Sequence, residues 1–302
     1  MKGLIALVAA SLLSIPALAQ WEYGGKIIGY YSYYTDPLAV AAVGDGSTVI
    51  AWNGYNGGDY DIFAQLVDSA GYARWGDYGM VVYEDDSTWQ TYPAVLADGQ
   101  GGAFIVWSDW RHTPTEGIAL YAQHLDSLGS RLWPVEGRRL TVGVRPAEEA
   151  RLYSDGQGGF IAVFQAYDDI GAQRIDWNGS ILWDSAGILL SAAPWLQYKP
   201  GTCQVTDSDF VTIWADFRFL SYPDSTFYDT DIYMQKFDLL GNILWDADGM
   251  PAVHWPYDQS YLDDSYDLVA DGRGGVVVVW VDERDMAHGG HSMLYADRFS
   301  AS

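Results

Sequence analysis

The sequence predicts an all-β chain: a five-bladed β-propeller of four-stranded blades, closed by an N-terminal strand that completes the last blade. Three observations predict it. A block of features recurs along the chain, and self-similarity at a near-constant period decides fold class before any local signal. Each copy breaks into short runs rich in Val, Ile, Tyr and Trp between Gly and Asp turns, with no sustained helical period outside the N-terminus. The two ends of the repeat array are complementary fragments of one copy.

The repeat rests on two independent markers. The first is an aromatic residue ending the apolar run after a Gly-rich turn: Trp52, Trp107, Phe164, Trp214 and Trp280. The second follows a D-x-x-G turn: Trp21, Trp75, Trp133, Trp183 and Trp245. Both drift together, with spacings between 50 and 66 residues, so tryptophan richness alone does not produce the pattern. A four-stranded sheet cannot bury both faces by itself. Sheets packed face to face around an axis do so and keep their edges short.

In chain order, residues 1–19 read as a secretory signal peptide. Lys2 is the positive start, Leu4–Leu13 the apolar stretch and Ala17–Ala19 the small-residue cleavage site. The remainder, 20–302, is one propeller domain, exported to the periplasm, the cell surface or the medium. Trp21–Ile28 matches the fourth-strand segments of later copies, and no first three strands precede it. Blade one runs from about Leu38 to Val82, and the crossing that follows carries Trp89 and Tyr92. Blade two, about 93–142, is the clearest copy: Pro93–Ala97, Ala103–Ser108, Ala119–Leu125, then Arg131–Trp133 continued by Arg138–Val142. Blade three spans about 149–190, with Phe164 in place of the first Trp. Trp195 and Tyr198 mark the next crossing, and blade four spans about 200–253 with the longest loop. Trp255 and Tyr257 lead into blade five, about 265–299, which lacks a fourth strand. Pairing Trp21–Ile28 beside Ser292–Phe299 would supply it and remove two free edges.

Composition narrows the partners. Forty acidic against sixteen basic residues give a net charge of −24. That disfavours nucleic acid and anionic membrane surfaces, which call for basic patches. No apolar segment beyond the leader suggests membrane insertion, and a monomer is expected. Cys203 is the only cysteine, so no disulfide forms within the chain, and the thiol reads as core. Stability must come from the apolar core. One fully buried tryptophan contributes roughly 4–6 kcal/mol gross, from about 150–250 Å² at about 25 cal/mol per Å².

Alternating strand direction puts the second-to-third loops and the blade crossings on one face, and the DGxGG and DxxG turns on the other. Trp89, Tyr92, Trp110, Trp195, Tyr198, Trp255 and Tyr257 all fall in the first set. Variable loops on a rigid scaffold are where function concentrates. An aromatic, acidic face suits a glycan, with rings stacking on sugar and carboxylates accepting from hydroxyls. It suits a protein partner equally. The bland alternative is that these rings plug gaps between blades.

Three constellations point to other chemistry. Asp36, Glu149 and Asp264 stand where three blades enter their innermost strands, and glycoside cleavage needs two carboxyl groups about 5–9.5 Å apart. His288 and His291, with Asp282 and Asp285 nearby, have a spacing that a bent loop could turn toward a metal. Asp246-Ala-Asp248-Gly249 resembles the opening of a calcium loop, so calcium is the one cofactor left open. The recurrent W-x-D-x-R of Trp107–Arg111, Trp214–Arg218 and Trp280–Arg284 reads as a structural ion pair, because one reaction needs one site.

The units DGxGG…WxDxR, YAQxLDxxG and LWxxxG resemble a blade repeat of exported bacterial β-propeller proteins, mostly of unassigned function. The resemblance covers nearly all of 20–302. Asp297 departs from it where Gln is usual, and the first and third copies lack D-x-R. It implies the blade and little about activity; five-bladed proteins in the broad sense include sugar-binding lectins and arabinan- or fructan-cleaving glycosidases. The sequence therefore leads to a non-catalytic binding propeller, with glycoside hydrolase and structural envelope component as alternatives.

Overall fold

A computed structural model describes residues 26–29, 38–85, 87–142, 147–218, 230–254, 266–282 and 293–300. The first sheet holds β1 (Leu38–Gly44), β2 (Ser47–Asn56), β3 (Asp59–Val67) and β4 (Met80–Tyr83). The second holds β5 (Gln90–Ala97), β6 (Ala103–Asp109), β7 (Ala119–Leu125) and β8 (Arg138–Arg139), with a single helical turn, α1 (Thr113–Glu116), between β6 and β7. The third comprises β9 (Ala147–Ser154), β10 (Phe160–Ala166), β11 (Asp169–Ile175) and β12 (Ile188–Ser191). The fourth comprises β13 (Gln197–Gln204), β14 (Asp209–Asp216), β15 (Asp231–Asp238) and β16 (Met250–Val253). The fifth has β17 (Tyr266–Ala270), β18 (Val276–Asp282) and β19 (Met293–Phe299). Every sheet is an antiparallel meander in chain order. The fold is all-β, and the sheet boundaries lie within three residues of the expected blades.

Packing runs from each sheet to the next. Val49 and Ile62 of the first meet Ile105 and Trp107 of the second. Phe104 and Leu120 meet Phe160 and Phe164 across the second junction. Ile161 and Val163 join Phe210 and Trp214 across the third. Ile213 and Met234 meet Val278 and Trp280 across the fourth.

The second tryptophans staple the first three of these junctions. Their segments are not fourth strands, as the sequence suggested, but turns leading into them. The indole N–H of Trp75 donates to the carbonyl of Ser127 in the next sheet (3.2 Å), Trp133 to Trp177 (3.2 Å) and Trp183 to Leu239 (3.1 Å). The ring lies on the glycine of the receiving D-x-x-G turn. At Gly129 or Gly179 a Cβ would press into the indole, and both residues have φ near +80°.

Two recurrent polar devices went unread in the sequence. Where the third strand parts from the fourth, a buried glutamine replaces the ladder. Gln65, Gln123, Gln173 and Gln235 donate to the carbonyls of Gly76, Pro134, Asp184 and Asp246 at 2.7–2.8 Å. Three of them also accept the backbone N–H of Trp75, Trp133 or Trp245. In the second to fifth sheets the residue after this position bonds the acid of the preceding turn: the His124 imidazole on Asp98, and the cations Arg174 on Asp155, Lys236 on Asp209 and, after Asp297, Arg298 on Asp271.

Ring closure departs from expectation. Among the described residues β19 pairs with β18 alone, and Leu294 is 75% exposed. Trp21–Gly25 lies outside the described residues. Lys26–Gly29 is present and rests against the first sheet: the Gln65 amide donates to the Ile28 carbonyl (3.4 Å), and the Lys26 ammonium sits over the Tyr72 ring at 4.5 Å. This is the side on which the second, third and fourth sheets receive their neighbour's staple. Pairing with β19 itself is not seen.

Candidate binding face

The W-x-D-x-R segments brace the loop face. Asp109 accepts the Trp107 indole (2.8 Å) and the Arg111 guanidinium (2.7 Å). Arg111 is then sandwiched over Tyr83 and Tyr121, at 4.1 and 4.0 Å. Burial pushes the Tyr83 hydroxyl up to about 12 despite that cation. Asp216 repeats the arrangement with Trp214 and Arg218, the guanidinium lying 3.7 Å from the Tyr233 ring. Asp109 and Asp216 are fully committed, which agrees with a structural reading; Arg284 of the third copy lies outside the described residues.

On this brace stands an arc of aromatic rings. Trp110 N–H donates to the Trp89 carbonyl (3.0 Å), and its indole reaches the Thr91 hydroxyl (3.4 Å). The two indoles lie 5.7 Å apart. Trp89 meets Tyr60 edge-on at 6.1 Å, and Tyr60 meets Tyr55 at 5.4 Å. Trp89 is 49% exposed and Tyr55 36%, so the arc presents ring surface to solvent across the loops of two sheets. Trp89 and Trp110 were expected here. Tyr55 and Tyr60 were not, because they sit inside strands; their place on the β2–β3 hairpin, which outruns the body of its sheet, was the available signal.

The other expected rings lie elsewhere. Trp195 is 61% exposed at a crossing, with φ of 69°. Tyr198 stacks on Phe217 at 5.6 Å, as a packing residue would. Tyr92 leaves the arc for the centre of the molecule. Trp255, Tyr257, Asp36, Asp264, His288 and His291 lie outside the described residues. Asp248 spends its carboxylate on the Ala192 N–H (2.8 Å), and no group of three metal-ligating side chains occurs among the described residues. Cys203 is half-buried, and burial pushes its thiol up to about 11, which keeps it protonated and unreactive.

The centre holds a cavity of ≈ 490 Å³ between the innermost strands. Leu38, Val40, Tyr92, Glu149, Arg151 and Lys199 are among the side chains lining it. Tyr92, Glu149 and Lys199 occupy the same place in β5, β9 and β13: each sits at a break in register with φ of 52°, 51° and 54°. Left-handed backbone at non-glycine residues costs of order 1 kcal/mol or more and gathers at functional sites. The Tyr266 hydroxyl donates to the Lys199 carbonyl (2.6 Å) and holds one such bulge. Of the expected carboxylate trio, Glu149 lines the cavity. Burial, followed by the charge of Glu149, pushes the Glu148 carboxyl above its ordinary range.

No protein-family model matches the chain, and no curated protein matches it. Solved structures do. The chain is similar to the GH93 α-L-arabinofuranosidase of Fusarium graminearum in complex with arabinobiose, at 10% identity over 89% of this chain and 83% of that one, TM-score 0.51. It is similar to a Dyadobacter fermentans protein of unknown function, at 12% identity over 91% and 82%, TM-score 0.50. An endo-arabinase of Bacteroides thetaiotaomicron aligns at 15% identity over 83% and 89%, TM-score 0.45. At these identities the likeness establishes a propeller-like all-β fold and nothing finer.

Proposed function

We propose that the chain is an exported, non-catalytic propeller that binds a glycan on the arc Tyr55–Tyr60–Trp89–Trp110. The carrying observation is the arc: aromatic rings in mutual contact, braced from below and open to solvent above. A sugar ring offers C–H faces that such a surface matches. That the Fusarium protein of like fold holds arabinobiose supports a carbohydrate ligand over a protein one. In this reading the molecule is a closed ring of five blades, Trp21–Ile28 completing the fifth, and belongs among exported bacterial repeat propellers.

Hydrolysis is the second reading, favoured by the elevated Glu148 carboxyl beside Glu149 at the cavity wall. Among the described residues the cavity presents Glu149 with two cations rather than the two facing carboxyls that glycoside cleavage requires.

The test joins Trp89→Ala with Tyr60→Ala. Binding to a glycan array should be lost, while Tm stays within a few degrees because Trp89 is half exposed. A collapse of Tm would make these rings packing residues. Release of reducing sugar from arabinan or another polysaccharide, abolished by Glu149→Gln, would favour the enzyme.

A further inference from the structure

The central cavity has a chemistry its surroundings lack. The chain carries a net charge of −24, yet the described acidic and basic side chains lining this cavity are Glu149, Arg151 and Lys199. A second cavity, of ≈ 300 Å³, shares Arg151, Tyr153, Lys199 and Pro200 with it and continues toward Asp267 of the fifth sheet. Arg151 and Lys199 thus sit at the junction of two lobes of one central space, delivered by the innermost strands of adjacent sheets.

The Arg151 guanidinium is uncommitted. Those of Arg111, Arg174, Arg218 and Arg298 are each consumed by a carboxylate. Arg151 makes no ion pair among the described residues and is exposed to the cavity. Lys199 is placed by a strained bulge that the Tyr266 hydroxyl secures. Its ammonium lies 5.8 Å from the Tyr198 ring. A guanidinium fork and an ammonium carried on one cavity wall suit a carboxylate. Glu149 cannot bind that anion, but it accepts hydroxyl protons. Tyr92, Leu38 and Val40 supply apolar walls.

From this geometry we infer that the central cavity binds the carboxylate of an acidic sugar, a uronic acid residue, with Arg151 and Lys199 on the anion and Glu149 on the ring hydroxyls. The volume falls in the range of small-ligand sites, about 300–1,000 Å³. Tyr92 links the cavity to the arc, three residues after Trp89. The inference deepens the proposed glycan binding and assigns it a uronate-containing ligand.

The probes are a trimer of galacturonic acid and the matching neutral trimer of galactose, titrated calorimetrically into the intact protein. The acidic trimer should bind, and Arg151→Gln should weaken it about tenfold or more, the usual scale for losing one charge-assisted contact. Lys199→Gln should act in the same direction, and Arg151→Lys should restore part of the loss. Both side chains lie at a cavity wall, so Tm should hold in all three variants. Failure of the acidic trimer to bind, or equal binding by wild type, Arg151→Gln and Lys199→Gln, overturns the inference. Neutral-glycan binding that is lost in Trp89→Ala would then leave the aromatic arc standing alone. Acidic-trimer binding that depends on Arg151 but not on Trp89 would support the cavity and remove the arc.

Discussion

His124 shows how one side chain can fix a pH limit for the whole molecule. It is fully buried, with Nε2 3.0 Å from the Asp98 carboxylate, and its ring packs edge-on against Trp177 at 4.4 Å. Burial lowers its pKa below the ordinary 6.5, and Asp98 opposes that only in part. The folded state therefore holds fewer protons than the unfolded chain at pH just below 6.5, so stability falls as pH drops through that range. The turn acids behave differently. Asp126, Asp209 and Asp271 are held below their ordinary 3.8 by hydrogen bonds, and their contribution is lost only in stronger acid. Tm should decline between pH 7 and 5, and His124→Gln should flatten that decline while leaving the acid limb in place. An unchanged profile would show that His124 does not carry it. The buried glutamines make a companion case. Gln123→Leu strands the buried Trp133 N–H, at about 1–3 kcal/mol for an unsatisfied group, and removes the bond to the Pro134 carbonyl. Denaturant unfolding should report a lower midpoint of matching size.

At the scale of elements, the sequence disclosed the strands and concealed what joins them. Apolar runs and turn residues mark the first three strands of the clearest copy, β5 to β7, because strand patterning and D-G turns act locally. The fourth strands were placed too early, at the tryptophans, because an apolar run beside a turn looks like a strand whether it pairs or staples. DGxGG was legible as a turn, but not its reason. The last glycine has no room for a side chain: a Cβ at Gly102, Gly159 or Gly275 would strike the carbonyl of Leu125, Ile175 or Phe299. The bulges at Tyr92, Glu149 and Lys199 were also hidden, since nothing in a Tyr-Pro, Glu-Ala or Lys-Pro pair announces a positive φ. Two of the three precede proline, which restricts the preceding residue and gave a partial hint. Loop rings such as Trp89 and Trp110 were therefore singled out as candidates. Arg151 and Lys199, placed by bulge and register, were not.

For the molecule as a whole, the proposed ring turns on its seam. Four sheet junctions are filled with buried apolar side chains, and in that ring a fifth would join β19 to the first sheet. The glutamine that clips third strand to fourth elsewhere is replaced here by Asp297, whose carboxylate accepts the Arg298 N–H at 2.7 Å. An ionised aspartate can accept a backbone N–H but cannot donate to a carbonyl, so half of the clip is missing at this junction. If residues 21–28 complete the fifth blade as proposed, a variant lacking them would leave the β19 edge unpaired and uncover the Trp52 side of the first sheet, and such edges pair with other chains. It should then sediment as larger species than the full chain does. Asp297→Gln should raise the Tm of the full chain and leave that of the truncated one unmoved.

The tryptophan staples carry a consequence for how such a chain grows. Each indole recognises a backbone carbonyl, a group every residue supplies, and its seat is a glycine that the turn needs for its own backbone. Nothing in the joint distinguishes one copy from another. A duplicated unit spliced between any two neighbours would arrive with both halves of its joint intact. In the proposed ring, the cost of a changed copy number would then fall on its curvature and on its last join, leaving the existing wedges as they were.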